Sequence, residues 1–201
     1  LYKVLGIDDP GNLDVEKLWA PTLQGPPFED NAWGAKWLQF PIGVDPSGAP
    51  VYIDFKETHE GGMGHHMVIA GTTGSGKSSF LTTLLLSAAL THSPETLVFA
   101  FFDFKGKTTA NMVAGLPNVV AAMGNLKDDS LWIERMGDVI NGELERRKSL
   151  LDRAGISEVA EYEYRRIHLG MRLEPLPALI IVIDEFTQMF IEAPESKKII
   201  R

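Results

Sequence analysis

The chain has 201 residues, of which 44% are apolar, so it is long enough for one globular domain with its own core. It contains no cysteine, which excludes disulfides, thiolate metal sites and cysteine nucleophiles. Its 27 acidic and 19 basic side chains give a net charge of −8, which disfavours binding of nucleic acid or anionic membrane by the molecule as a whole.

No stretch approaches the roughly 20 apolar residues of a membrane span, and the first residues lack the pattern of a signal peptide. We therefore expect any membrane attachment to lie outside this chain. The chain begins at Leu1 rather than at a methionine and stops at Arg201 in mid-pattern, so we expect it to be a piece of a longer protein.

The first part of the chain, residues 1–37, is rich in proline, glycine and tryptophan and contains one short predicted helix, near 13–19. We expect this part to be an appendage or linker, and the main domain to occupy residues 38–201. Tryptophans such as Trp33 and Trp37 are predicted to cover an apolar edge rather than to stack on bases.

The main domain opens with a predicted β-hairpin. Its two β-rich runs, 38–44 and 51–55, flank a turn-forming cluster at 45–48. A short apolar run at 67–70 then predicts a buried parallel strand, and a helix is predicted over 76–91.

The rest of the chain alternates strands and helices. Apolar runs predict strands at 97–102 and 179–183, and residues 119–122 are a further possible strand. Apolar residues at three- and four-residue spacing predict a long helix over 128–151, and a shorter helix is predicted near 157–169. This order predicts an α/β fold, with a mostly parallel sheet between helices.

One segment fits the phosphate-binding pattern GxxxxGK[ST] in full and lies between a predicted strand and a predicted helix. Its glycines allow the backbone N–H groups of residues 73–79, Ser79 included, and the positive end of the helix to point at one anion. We expect Lys77 to bind the β- and γ-phosphates of ATP, and the Ser78 hydroxyl to ligate Mg²⁺. The segment consists of Gly71, Thr72, Thr73, Gly74, Ser75, Gly76, Lys77 and Ser78.

An acidic pair, Asp184 and Glu185, follows the strongest predicted strand, which could lie beside the strand that precedes the phosphate loop. Asp184 is expected to hold Mg²⁺ through its waters, and Glu185 to act as the general base that activates the attacking water. The alternative is a solvated acidic strand end. The phosphate loop upstream favours the P-loop NTPase interpretation.

Charged residues outside these two motifs have plainer interpretations. The segment 103–107, which begins at Asp103, is predicted to be a loop at the edge of the site rather than a plain turn. His65 and His66 have no third ligand at a suitable spacing, so we expect a turn or strand-edge pair and not a metal site. The basic runs 146–148 and 165–166 have acidic neighbours and predict solvated, salt-bridged helix faces.

Several segments together resemble the FtsK/SpoIIIE-type ATPases of type VII secretion systems, the EccC family, and above all the first ATPase domain of that family. The resemblance runs from about residue 38 to the end of the chain. Besides the phosphate loop, it rests on Phe40-Pro41-Ile42-Gly43-Val44, Asp54-Phe55-Lys56-Glu57, Gly61-Gly62-Met63-Gly64, Leu90-Thr91-His92-Ser93-Pro94-Glu95, Asp103-Phe104-Lys105-Gly106 and Asp184-Glu185-Phe186.

The resemblance implies a RecA/FtsK-like motor domain that binds ATP and Mg²⁺ and works at the cytoplasmic face of the cell membrane. The implied partners are further ATPase domains of the same polypeptide, membrane components of the secretion system and exported pairs of folded helical proteins. The implied assembly is a ring, with six subunits as one form. The family's sensor residue and inter-subunit arginine fall beyond Arg201, so we expect this chain alone to hydrolyse ATP very slowly.

Two positions depart from the family pattern. Lys107 stands where the family usually has a glycine, and His65 stands where it usually has a proline. Two alternatives stay open: a DNA translocase of the same superfamily, which the acidic net charge disfavours, and a regulatory module that binds nucleotide without turnover.

Overall fold

A computed structural model describes residues 1–24, 34, 36–104, 108–124 and 132–187. The helices are α1 (Tyr2–Leu5), α2 (Val15–Trp19), α3 (Lys77–Thr91), α4 (Thr108–Val113), α5 (Trp132–Ala154) and α6 (Val159–Ile167). The strands are β1 (Gln39–Val44), β2 (Pro50–Asp54), β3 (Leu97–Asp103), β4 (Val119–Gly124) and β5 (Ala178–Asp184).

The main sheet has three parallel strands in the order β4-β3-β5. The central strand, β3, is buried at every position, which explains why its sequence is a continuous apolar run. The predictions of strands at 97–102, 119–122 and 179–183 are therefore confirmed, each extended at one or both ends. The α/β fold class is confirmed with them.

Helices cover both faces of this sheet. On one face, Phe99 and Phe101 pack in the same core cluster as Leu84 and Leu85 of α3. On the other face, Ala100 and Phe102 share a cluster with Met136 of α5. Successive side chains of β3 point to opposite faces of the sheet. Because burying one large apolar side chain contributes about 1.5–3 kcal/mol, β3 stabilises the packing of α3 on one face and of α5 on the other.

The direction of α3 follows from its connection to the sheet. A short turn joins its last residue to Leu97, where the backbone N–H groups of Thr96 and Leu97 both donate to the Ser93 carbonyl. The end of α3 therefore lies at the amino edge of the sheet. Because a 15-residue helix and a 7-residue strand are each about 22 Å long, the first turn of α3 lies at the carboxyl edge.

The predicted hairpin is confirmed. Strands β1 and β2 pair antiparallel, and the Asp45 carboxylate closes the turn by accepting from the backbone N–H groups of Ser47 and Ala49. Phe40 and Phe55 bury their rings in the core on the α3 side of the sheet. The hairpin is thus part of the domain core.

The N-terminal segment is attached to the last turn of α3. The Trp19 indole donates to the Ala89 carbonyl at 2.9 Å, and the Thr22 hydroxyl donates to the Thr91 carbonyl at 2.9 Å. These bonds satisfy two of the carbonyls that a helix end leaves without intrahelical partners. The predicted helix at 13–19 is confirmed as α2.

Trp37 is buried and its ring lies 5.9 Å from that of His92, at the junction between the N-terminal segment and the end of α3. Trp37 is therefore packed inside the fold, and its role in covering an apolar edge stays a prediction. Trp33 lies outside the described residues.

The predicted strand at 67–70 is wrong for the described structure. No strand is assigned there, and Val68 is 76% exposed, although Ile69 packs against the core. The expected position of β5 beside this segment is not observed either, since the only strand that pairs with β5 among the described residues is β3. A strand needs hydrogen-bonding neighbours, and a local apolar pattern does not supply them.

The three remaining helix predictions are confirmed with shifted bounds. The helix predicted over 76–91 is α3. The long helix is described from Trp132 and continues to Ala154, while residues 128–131 lie outside the described part. The shorter helix is α6.

The arginines of the basic runs pair with their acidic neighbours as predicted: Arg146 and Arg147 both bind Glu143, and Arg165 binds Glu161. The prediction of a solvated face is wrong for one pair, because Glu163 is buried and binds both Arg166 and the Leu176 N–H.

Candidate nucleotide-binding site

The phosphate loop lies exposed between the run at 67–70 and the first turn of α3. Gly74 and Gly76 have φ angles of 81° and 93°, in the left-handed region that side chains rarely adopt. Gly71 is restricted by space, since a Cβ there would lie 2.5 Å from the Ser75 hydroxyl oxygen. Gly74 and Gly76 therefore have a conformational reason to be glycines, whereas at Gly71 the Ser75 side chain would have to move to admit a Cβ.

The loop leads directly into α3, which begins at Lys77 after Gly76 without a side-chain hydrogen bond at its N-cap. The first backbone N–H groups of a helix have no intrahelical acceptor, and the helix dipole makes this end positive. Ser78 and Ser79 are exposed in this first turn. The arrangement offers several N–H donors and two hydroxyl groups to an anion with a bound metal ion, so it fits Mg²⁺ and a polyphosphate.

The Lys77 side chain folds back over the loop. Its ammonium donates to the Gly71 carbonyl at 2.8 Å and to the Thr72 carbonyl at 3.1 Å. These bonds hold a positive charge over the same backbone whose N–H groups form the proposed phosphate cradle. The loop thus concentrates positive potential in one exposed place.

The acidic pair lies at the carboxyl end of β5. Asp184 is the last residue of the strand, and its carboxylate accepts from the Glu185 N–H at 3.0 Å. Glu185 has a φ of 56°, an unusual backbone conformation for a residue other than glycine. Such conformations cost on the order of 1–3 kcal/mol and occur often at functional sites.

The loop and Asp184 share one edge and one face of the sheet. Ile180 and Val182 pack in the core cluster of α3, whereas Leu179 and Ile183 pack on the α5 side. Side chains alternate along a strand, so Asp184 belongs to the α3 face. Since the first turn of α3 lies at the carboxyl edge, the structure brings the acidic strand end to the side on which the phosphate loop begins.

The segment before the loop is held against the end of β2. Gly62 lies so close that a Cβ would be 2.1 Å from the Lys56 carbonyl oxygen. Lys56 itself is buried in an ion pair with Asp54, at 2.7 Å, and its ammonium also donates to the Trp37 carbonyl. The segment that leads into the phosphate loop is therefore anchored at Gly62 against the end of β2.

His65 also holds this segment against the residues that follow β2. Its Nδ1 lies 2.8 Å from the Phe55 carbonyl and its Nε2 lies 3.0 Å from the Glu57 carboxylate, so both ring nitrogens face acceptors. The hydrogen bond to the Phe55 carbonyl, with the Glu57 carboxylate, raises the pKa of His65. His65 has a structural contact that a proline at this position would lack.

Two parts of the predicted site fall differently from the expectation. Residues 105–107, and with them Lys107, lie outside the described residues. Asp103 is the last residue of β3 rather than part of a loop, and it is buried.

Across the described ranges no group of three or more histidine, cysteine or acidic residues could hold a metal ion by itself. Within the same ranges, no helix is long and apolar enough to cross a membrane.

The parallel α/β sheet and the glycine-rich loop that opens α3 define a P-loop NTPase domain. The model of the FtsK/SpoIIIE family matches residues 26–201. The chain belongs to this family.

Among its curated relatives, the ESX secretion system protein EccC of Thermomonospora curvata is 41% identical over 196 residues, covering 97% of this chain. The ESX-3 secretion system protein EccC3 of Mycobacterium tuberculosis is 40% identical over 199 residues, covering 96% of it. The chain spans only 14% of the length of each of these relatives.

Solved structures give the same result. The cytoplasmic domain of the type VII secretion ATPase EccC from Thermomonospora curvata matches all of this chain with a TM-score of 0.87 and 40% identity, over 22% of that structure. ATPases 2 and 3 of EccC from the same organism, in complex with a signal sequence peptide, match 90% of the chain with a TM-score of 0.66 and 25% identity. The resemblance to EccC ATPases is confirmed.

Proposed function

We propose that this domain binds ATP with Mg²⁺ at residues 71–79 and hydrolyses it. One observation supports this most directly: the complete GxxxxGK[ST] sequence opens a helix at the carboxyl edge of a parallel sheet, with its glycines in the conformations that a phosphate cradle needs. A structural turn would not require the lysine, the serine and the left-handed glycines together.

Each side chain of the proposed site has a role in binding or hydrolysis that its chemistry suits. The Lys77 ammonium neutralises the β- and γ-phosphates, and the Ser78 hydroxyl ligates Mg²⁺. Asp184 accepts hydrogen bonds from water on the metal ion. Glu185 takes a proton from the attacking water, because a carboxylate beside the γ-phosphate is suited to act as a general base. When bound beside the Ser78 hydroxyl, Mg²⁺ would supply positive charge that stabilises the phosphate oxygens.

In the cell, we propose that the domain acts in a type VII secretion ATPase at the cytoplasmic face of the membrane. Support comes from the EccC relatives, one of which was solved with a signal sequence peptide. The proposed partners are further ATPase domains, membrane components of the secretion system and exported helical protein pairs. The proposed assembly is a ring of such subunits.

DNA translocation is the less favoured alternative. The net charge is −8, and the four arginines of the two basic runs bind carboxylates on α5 and α6. These arginines therefore do not form a free basic stripe for a phosphate backbone.

Titration calorimetry with ATP and Mg²⁺ on Lys77→Ala tests the proposal. Loss of charge-assisted bonds to the phosphates should weaken affinity about 10- to 150-fold in a folded protein. Lys148→Ala, which removes an exposed lysine on α5, is the matched control and should leave affinity unchanged. Equal affinities of the two variants, with native circular dichroism, would remove the central claim.

A further inference from the structure

Asp103 is an unusual residue in its strand. It ends the otherwise apolar run Leu97–Asp103 and is only 3% exposed. Burying a carboxylate is costly unless other groups compensate for the lost water. Asp103 also has interactions with other groups in the structure.

The position of Asp103 is defined by the sheet. It lies in register with Asp184 on the neighbouring parallel strand, β5. Adjacent parallel strands are about 4.8 Å apart, and in-register residues project to the same face. Phe99 and Phe101 pack on the α3 side, so Asp103, two residues further on, belongs to that face as well.

Two carboxylates therefore end neighbouring strands on one face of the carboxyl edge. An independent feature points to a ligand at the same place, because the phosphate loop and the Ser78 hydroxyl begin α3 at this edge and on this face. A hydrated divalent cation bound at the loop would keep several of its waters, and carboxylates at this edge are suited to accept hydrogen bonds from those waters.

We propose that Asp103 is a positioning residue of the nucleotide site, which acts with Asp184 to hold the water shell of Mg²⁺ bound to ATP. This inference rests on the proposed function. It assigns to Asp103 a role in metal dependence that a buried structural acid would not have.

The test is a Mg²⁺ titration of the full-length protein, with the fluorescent nucleotide mant-ATP as the probe. Asp103→Asn keeps the shape of the side chain and removes its charge. It should raise the Mg²⁺ concentration at half-maximal binding about tenfold, as expected for a group that supports a metal ion indirectly, and leave nucleotide affinity in EDTA unchanged. Asp103→Glu, which keeps the charge but moves it, should shift the titration in the same direction by less.

Glu163→Gln is the matched control, since Glu163 is also a buried acid but binds Arg166 and the Leu176 N–H on the α6 side. It should change stability and leave the Mg²⁺ titration at its wild-type position. A folded Asp103→Asn with a wild-type titration overturns the inference. If Asp103→Asn does not fold, a wild-type titration of Asp103→Glu overturns it. Failure of the wild-type protein to bind mant-ATP would instead contradict the proposed function.

Discussion

His92 should make the protein sensitive to mild acid. Burial lowers the pKa of this histidine to about 3, and nearby Lys56 acts in the same direction. The geometry agrees: the Leu38 N–H donates to Nε2 at 3.1 Å, so this nitrogen must be unprotonated, and Nδ1 carries the proton toward the Thr91 hydroxyl at 2.9 Å. If Nε2 were protonated, its N–H would face the Leu38 N–H, and this hydrogen bond would be lost.

The pH dependence of stability follows from the difference between the His92 pKa values in the folded and unfolded states. The unfolded chain binds a proton at His92 below about pH 6.5, whereas the folded chain binds it only near pH 3, so stability falls as pH decreases through this window. At pH 5 the shift of the His92 pKa from 6.5 to about 3 gives an expected loss of about 2 kcal/mol in the free energy of unfolding. This is a large part of the 5–15 kcal/mol that typically stabilises a domain.

Urea unfolding at pH 7.5 and pH 5.0 measures this loss, and His92→Gln should remove most of it. His65 acts in the opposite sense. Its pKa is raised, so the stability it contributes is present below about pH 6.5 and is lost as pH rises through its folded pKa. His65→Gln should therefore make the protein comparatively less stable at pH 5.0. If His92→Gln keeps the wild-type difference between the two pH values, the assignment of His92 as a buried neutral histidine is refuted.

Glu185→Gln should keep ATP affinity within about twofold and lower kcat at least 100-fold in the full-length enzyme, and a wild-type rate would place the base elsewhere. Hydrolysis by the 201-residue chain alone should be very slow, because the arginines of the two basic runs are held by carboxylates; a brisk rate in a phosphate-release assay would contradict this. Trp19→Phe should cost about 1 kcal/mol in urea unfolding by removing the bond to the Ala89 carbonyl, and an unchanged midpoint would show that the bond is dispensable. Gly62→Ala should destabilise more than Gly115→Ala, because a Cβ at Gly62 would lie against backbone whereas Gly115 has open space and no positive φ; the reverse order in thermal unfolding would contradict the close approach.

The parts of the fold that the sequence predicted best are those with local causes. The apolar run ending at Asp103 predicted a strand because both of its faces are buried, and the glycines of the phosphate loop predicted its backbone because few other residues adopt those angles. The predicted strand at 67–70 failed because pairing depends on a neighbour that the local pattern does not specify.

Contacts between distant parts of the chain could not be predicted. The hydrogen bond from Trp19 to Ala89 joins residues 70 positions apart, and the local sequence of neither segment indicates that they are in contact. Glu163 looked like one more charge on a solvated helix, but its carboxylate accepts from the N–H of Leu176, 13 residues further on. Asp103 was placed at the edge of the site by sequence, and only the register of β3 with β5 put it beside Asp184.

The attachment of the N-terminal segment to α3 has a mechanical consequence. Trp19, Thr22 and Leu38 all bond to residues 89–92 at one end of this helix, and the phosphate loop opens the other end. Because these bonds join the N-terminal segment to the end of α3 opposite the loop, we expect tension applied through that segment to act on α3, whose first turn lies about 22 Å away. In force spectroscopy, a pull on Leu1 should therefore shorten the dwell time of bound ATP more in the wild-type protein than in Trp19→Phe.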